Sequence, residues 1–238
     1  MSDLPVLDHW VGGAAWPGTS TRTAPVYDPA RGEAQREVRL AGADDVAAAV
    51  ASATAAAPAW RDASLAKRQG VMFAFREILN ARKEELARIL TSEHGKVLAD
   101  AHGEIARGLE VVEFACAAPH LLKGEYSESV STGVDVYTLR QPLGVVGVIS
   151  PFNFPAMVPL WFVPIALAAG NAVVLKPSEK DPSAANWIAE RYAEAGLPAG
   201  VLSVVHGDKE AVDAILEHPD IASVSFVGST PIAKYIYE

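Results

Sequence analysis

Along residues 44–122 the apolar positions recur three and four apart, whereas from residue 145 onward they gather into short β-branched runs. In the first region Asp44 and Asp45 open an alanine-rich helix that the pattern ends at Pro58. Ser64 is placed to cap a second helix carrying Val71, Phe75, Ile78 and Leu79 on one face. Leu86, Ile89 and Leu90 mark a third helix that stops near Gly95. Ile105, Leu109, Val112 and Cys116 mark a fourth, ahead of Pro119. Residues 126–139 then alternate around Thr132-Gly133, which predicts a hairpin.

Beyond it the rhythm becomes strand and helix in turn. Strands are predicted at 145–150, 172–175, 201–205 and 223–227, with helices at 156–169, 183–195 and 209–217 and another starting after Ser229. Repeated βα units of this length predict an α/β fold with a doubly wound parallel sheet, Rossmann-like, preceded by a helical region and a β-hairpin. No charged residue lies between Arg140 and Lys176, a span long enough to raise the question of a membrane helix. Pro142, Pro151, Pro155, Pro159 and Pro164 break that span, so it reads as buried strands and a helix rather than a crossing. The stretch Met1 to Trp10, with Asp3, Pro5 and Asp8, has no basic flank followed by an apolar run and does not read as a signal peptide.

In a sheet of this kind ligands bind beyond the carboxyl ends of the strands, so the residues after each strand are the ones to inspect. The first strand runs into Pro151-Phe152-Asn153-Phe154-Pro155, where the Asn153 carboxamide can donate to a developing oxyanion or simply bond within its own turn. The second runs into Lys176-Pro177-Ser178-Glu179-Lys180. There Glu179 can bridge two ribose hydroxyls and Lys176 can add a donor, or the group can be a solvated charge cluster. The fourth runs into Gly228-Ser229-Thr230-Pro231. Gly228 permits close backbone approach and the following helix start attracts anions, though capping alone would also account for Ser229. The dinucleotide fingerprint GxGxxG is absent from the sequence. Three such motifs on one side of one sheet suggest a nucleotide site.

Composition narrows the function further. With 238 residues, half of them hydrophobic, the chain can bury a sizeable core as one large domain or two small ones. A net charge of −9 argues against the basic face that nucleic-acid binding needs. One cysteine excludes an intrachain disulfide framework and suits a reducing compartment. His9, His94, His102, His120, His206 and His218 show no metal-ligand spacing, so no metal is expected. Cys116, with His120 four residues on, lies on an apolar helical stripe and reads as a core residue rather than a nucleophile.

These motifs, with Arg107-Gly108-Leu109-Glu110 and Ser131-Thr132-Gly133-Val134-Asp135-Val136-Tyr137, resemble the aldehyde dehydrogenase family from about Val6 to the last residue. Phe152, where most of the family has Trp, makes the chain similar to the CoA-acylating methylmalonate-semialdehyde (malonate-semialdehyde) branch, in its N-terminal part. The resemblance implies that Asn153 is the side-chain donor of an oxyanion hole, that Ser150 and Phe152 face nicotinamide, and that Lys176 and Glu179 hold the adenosine ribose with Lys180 beside them. It further implies that Gly228 and Ser229 meet the pyrophosphate and that Arg107 holds the substrate carboxylate. Ala233 replaces the glycine that often closes the family's phosphate loop, and another small residue there still permits close packing.

What the family implies for the whole enzyme follows. NAD is the cofactor and coenzyme A the co-substrate. A cysteine thiolate attacks the semialdehyde, hydride passes to NAD, and CO2 is lost as a short acyl group moves to CoA. The working protein is a cytoplasmic homo-oligomer, a tetramer when full length, with no membrane or nucleic-acid partner. Residues 1–122 correspond to the N-terminal helical part of the NAD-binding domain, 123–141 to the hairpin of the oligomerisation region, and 142–238 to the βαβ core. The family's cysteine lies downstream of Gly228-Ser229-Thr230, so these 238 residues alone are expected to be inactive. Two rivals stand beside this reading. One is a non-catalytic module that binds NAD or a partner; the other is a dehydrogenase for another aldehyde, such as succinate semialdehyde.

Overall fold

The computed structural model describes residues 4–238. Asp3, part of the stretch read above for a signal peptide, lies outside the described residues. The chain begins with five strands, β1 (Val6–Leu7), β2 (His9–Val11), β3 (Ala14–Trp16), β4 (Thr23–Asp28) and β5 (Glu33–Arg39). Helices α1 (Ala43–Arg61), α2 (Leu65–Ala81), α3 (Lys83–His94), α4 (Leu98–Cys116) and α5 (Ala118–Leu121) follow, and then the hairpin β6 (Tyr126–Ser131) and β7 (Val134–Tyr137). The remainder alternates: β8 (Val145–Ile149), α6 (Met157–Ala168), β9 (Ala172–Lys176), α7 (Ser183–Glu194), β10 (Leu202–Val204), α8 (Lys209–Glu217), β11 (Ile221–Phe226) and α9 (Thr230–Tyr237).

The central sheet has the order β11-β8-β9-β10-β2-β3. Its first four strands are parallel, and β2 and β3 extend it antiparallel beyond β10. Period-two alternation sorts each strand between two cores. On β8 and β9, Val146, Val148, Val173 and Leu175 face one way, into a core with Phe75, Leu79, Leu160 and Ile188 from α2, α6 and α7. Val145, Ile149, Ala172 and Val174 face the other way, against Val46 and Val50 of α1 and Ile215 of α8. Helices therefore cover both faces, and this is why the strand segments read as unbroken apolar runs. Gly147 sits where α8 comes closest: a Cβ there would lie 3.0 Å from Ile215 Cγ2.

Two expectations need correction. The helix expected to stop at Pro58 continues to Arg61. Proline that near a helix end removes one backbone bond, and the buried Trp60, whose Nε1 donates to the Leu167 carbonyl at 3.0 Å, offsets it. Residues 6–39, expected as part of a helical region, hold five strands instead. Several span only two or three residues, too short to show a period, and they form a small sheet β1-β5-β4 and the antiparallel extension. The other expected elements are present, and Ser64 caps α2 by accepting from the Lys67 amide at 3.2 Å. The uncharged span becomes β8, the twelve-residue α6 and β9. No helix among the described residues is long and apolar enough to cross a membrane.

Candidate functional site

Parallel strands β8, β9 and β10 deliver Ser150, Lys176 and the Gly207-Asp208 pair to the same end of the sheet. There a cleft of 660 Å³ opens, lined by Ser150, Phe152, Lys176, Glu179 and Lys180 on one side. Asp208, Lys209 and Val212 from the start of α8, with Ile232 and Tyr235 of α9, form the other side. Five of the residues singled out in the sequence thus share one wall of one cavity.

Lys176, the last residue of β9, is almost fully buried. Its Nζ donates to the Gly207 carbonyl at 2.7 Å and lies 3.8 Å from Glu179 Oε2. Burial holds its ammonium below the ordinary lysine range, while the negative charges of Glu179 and Asp208 pull the other way. Ser150 is also buried, and its hydroxyl has no hydrogen-bond partner among the described residues. Lys180 sits 4.7 Å above the ring of the half-exposed Phe152. On the opposite wall, Lys209 donates to Asp213 and to the Tyr235 hydroxyl, both at 2.6 Å, which ties α8 to α9.

Gly228 and Ser229 join β11 to α9, close to this cleft in the chain but not among its lining residues. A Cβ at 228 would meet the Phe226 ring, which would have to shift to admit a side chain. Ser229 is the N-cap residue of α9, yet its side chain makes no capping bond, which leaves the hydroxyl and the first amides of that helix free of each other. Asn153 lies exposed in the loop before α6, outside the cleft lining. Arg107 is on the outer face of α4, with its side chain 68% exposed and its nearest carboxylate, Glu110, 3.7 Å away. Within the described residues nothing brings Arg107 to the cleft.

Several residues of the site were not read from the sequence. Asp208 and Lys209 follow the third parallel strand, so their signal lies in His206-Gly207-Asp208 at its carboxyl end. Val212, Ile232 and Tyr235 look like ordinary helix positions and carry no such signal.

Residues 16–238 match the aldehyde dehydrogenase family. The chain belongs to that family. It is 54% identical over 216 residues to a malonate-semialdehyde dehydrogenase of Pseudomonas aeruginosa, an alignment covering 91% of this chain and 44% of that protein. Among solved structures, this aldehyde dehydrogenase chain superposes on a protein of Sinorhizobium meliloti 1021 named as a methylmalonate-semialdehyde dehydrogenase and complexed with NAD. The TM-score is 0.97 at 52% identity, with all of this chain and 48% of that one covered. A methylmalonate-semialdehyde dehydrogenase of Oceanimonas doudoroffii is similar with a TM-score of 0.96 and 50% identity, over 98% of this chain and 48% of that one. The chain spans about half the length of the relatives it matches.

The one cysteine of this aldehyde dehydrogenase chain, Cys116, closes α4 inside the main core, with 5% of its surface exposed. Burial pushes its thiol up, away from the thiolate a nucleophile requires. No group of three or more histidine, cysteine or acidic side chains able to hold a metal occurs among the described residues.

Proposed function

We propose that this chain is the cofactor-binding part of an NAD-dependent, CoA-acylating dehydrogenase of malonate or methylmalonate semialdehyde. The observation that carries the cofactor assignment is the union of Lys176, Glu179 and Ser150 in one cleft at the carboxyl ends of β8 and β9. The substrate assignment rests on the names of the relatives and on Phe152.

The residues fit NAD. The charged floor of Lys176 and Glu179 matches the diol of a ribose, with a carboxylate to accept two O–H bonds and an ammonium to donate one. Glu179 would repel a 2′-phosphate, which favours NAD over NADP. Val212, Ile232 and Tyr235 offer an apolar wall for a flat base, and the amides at the start of α9 with Ser229 suit the pyrophosphate. The unpartnered Ser150 hydroxyl and the exposed ring of Phe152 would flank the nicotinamide. When bound, NAD supplies a hydride acceptor.

This chain's other assigned task is to stabilise charge on the aldehyde oxygen, by the Asn153 carboxamide, when a thiolate adds to the carbonyl carbon. That thiolate is not Cys116, so the nucleophile comes from outside these 238 residues, and the chain alone has no dehydrogenase activity. For malonate semialdehyde the full reaction converts the aldehyde, NAD and the CoA thiol into acetyl-CoA, CO2 and NADH. The C–COO bond breaks, and the carbon it leaves takes up a proton. We further assign the hairpin β6–β7, which exposes Tyr126, Val130, Val134, Val136 and Tyr137, to homo-oligomer contact in a cytoplasmic enzyme. Residues 1–122, 123–141 and 142–238 are assigned to the N-terminal part of the NAD-binding domain, the oligomerisation hairpin and the nucleotide-binding core.

Calorimetric titration of this chain with NAD and with NADP tests the cofactor assignment, and NAD should bind more tightly. Turnover of malonate, methylmalonate and succinate semialdehydes by the complete enzyme, with and without CoA, tests the rest. Activity on the first two that requires CoA is expected. Full activity without CoA, or a preference for succinate semialdehyde, overturns the substrate assignment.

A further inference from the structure

Helix α6 begins without a cap of its own. The residue at its N-cap is Ala156, and the sequence Asn153-Phe154-Pro155-Ala156 offers one side chain near that end able to bond its free amides, the carboxamide of Asn153. Asn153 is an exposed residue instead. The amides are served from another helix: Glu104 of α4, its side chain fully buried, accepts at Oε1 from the Ala156 amide at 2.8 Å and the Met157 amide at 3.0 Å. Its Oε2 accepts from Lys96 Nζ. Lys96 in turn donates to the backbone carbonyl of Asn153 at 3.1 Å and lies 4.9 Å from the centre of the Phe154 ring.

We propose that Glu104 and Lys96 are positioning residues for Asn153. Glu104 occupies the helix end that Asn153 would otherwise cap, and Lys96 holds the Asn153 carbonyl, so the loop is fixed on both sides of the carboxamide while the carboxamide stays free. A carboxylate at a helix N-terminus is stabilised by the helix dipole, and its ion pair with Lys96 ties the two anchors into one unit. The proposal rests on the assignment of Asn153 as oxyanion donor.

The test uses the complete enzyme for kinetics and this chain for amide exchange, with Glu104→Ala, Glu104→Gln, Lys96→Met and Asn153→Ala. Displacement of a donor by about an ångström lowers turnover roughly 100-fold. Glu104→Ala should therefore lower kcat by about that factor with KM for NAD unchanged, and Glu104→Gln, which keeps an acceptor for the two amides, should recover most of it. Lys96→Met keeps the packing on Phe154 and should show a smaller fall in kcat. In this chain, exchange at the amides of Ala156 and Met157 should quicken in Glu104→Ala and not in Glu104→Gln. A fall in kcat for Asn153→Ala with none for Glu104→Ala overturns the positioning role alone. A parallel loss of kcat and NAD affinity in every Glu104 variant also overturns it, since that marks general damage to the fold. An unchanged kcat in Asn153→Ala overturns the assignment of Asn153 itself and the positioning role with it.

Discussion

The ammonium of Lys176 is spent on the carbonyl of Gly207, 2.7 Å away across the gap from the end of β9 to the end of β10. A buried cation used in this way destabilises the fold on its own account, and burial accordingly holds its pKa below the ordinary value. For a lysine shifted in that direction, the stability deficit is present while the folded amine is charged and disappears as the pH rises from the folded pKa towards the unfolded one. Lys176→Met should therefore leave the Tm at pH 7 unchanged or raised while weakening NAD binding about tenfold, the value of one charge-assisted hydrogen bond. Differential scanning fluorimetry and NAD titration on the same variant measure both halves.

Glu179 should set the choice between NAD and NADP. Its side chain is about one-third exposed and 3.8 Å from Lys176. Glu179→Gln removes the repulsion toward a 2′-phosphate and one acceptor for the ribose diol, leaving the lysine to attract the phosphate. The ratio of NADP to NAD affinity should rise by about tenfold or more. An unchanged ratio of dissociation constants would mean that the ribose sits elsewhere.

Asp181, in the segment before α7, is buried, has an oxygen without a hydrogen-bond partner, and titrates near 8. Burial is the main cause, with the nearby carboxylates of Glu93, Glu104 and Glu179 adding to it and Lys96 opposing it. Because the folded value lies above the unfolded one, the stability tied to its proton is fully present below pH 3.8 and is lost as the pH rises through 8. Between pH 7 and 9 the chain should lose about 1 kcal/mol on this account. Asp181→Asn should flatten that part of the profile. The buried His9, depressed to about 4, and His206, held by burial well below the ordinary histidine value, change charge only on the acid side of this window. Urea unfolding of the two proteins at pH 7, 8 and 9 provides the comparison.

Cys116 should behave as a core side chain. Its thiol should react with a chromogenic disulfide only as fast as the protein opens, and promptly in denaturant. Cys116→Ala should lower stability by about 1 kcal/mol and leave NAD affinity unchanged. Prompt labelling of the folded chain, with loss of NAD binding, would place this cysteine at a functional surface.

The legible parts of this molecule are those with a long period or a strong boundary. Ser64 marked α2 because a hydroxyl at that position has one obvious partner, and Gly95 marked the end of α3 because its φ of 83° suits glycine. The βα alternation was legible because β8 and β9 are covered on both faces and so are apolar throughout. Residues 6–39 are opaque because β1, β2 and β3 are too short to show a period, β4 and β5 each bury a single residue fully, and β2 finds its second partner far away in β10. In the site, Lys176 and Glu179 were visible as charges directly after a buried strand. Glu104 was invisible, because a glutamate in the middle of a helix looks solvated until the uncapped helix it serves is seen beside it.

The extension of the sheet by β2 has a consequence for the order in which the protein is made. Trp10 is partnered with Val204, the amide of His206 donates to His9 Nδ1 at 3.1 Å, and Asn186 donates to the Asp8 carbonyl at 2.9 Å. Residues 8–10 are thus made well before their partners at 186–206, and at about 5–20 residues per second they wait on the order of ten seconds or more for them. During that interval β2 has β3 on one side and an open edge on the other, and β10, once made, presents an open edge until β2 joins it. The join on this side of the sheet cannot form until β10 is made, and its two halves are open to the wrong partner until then.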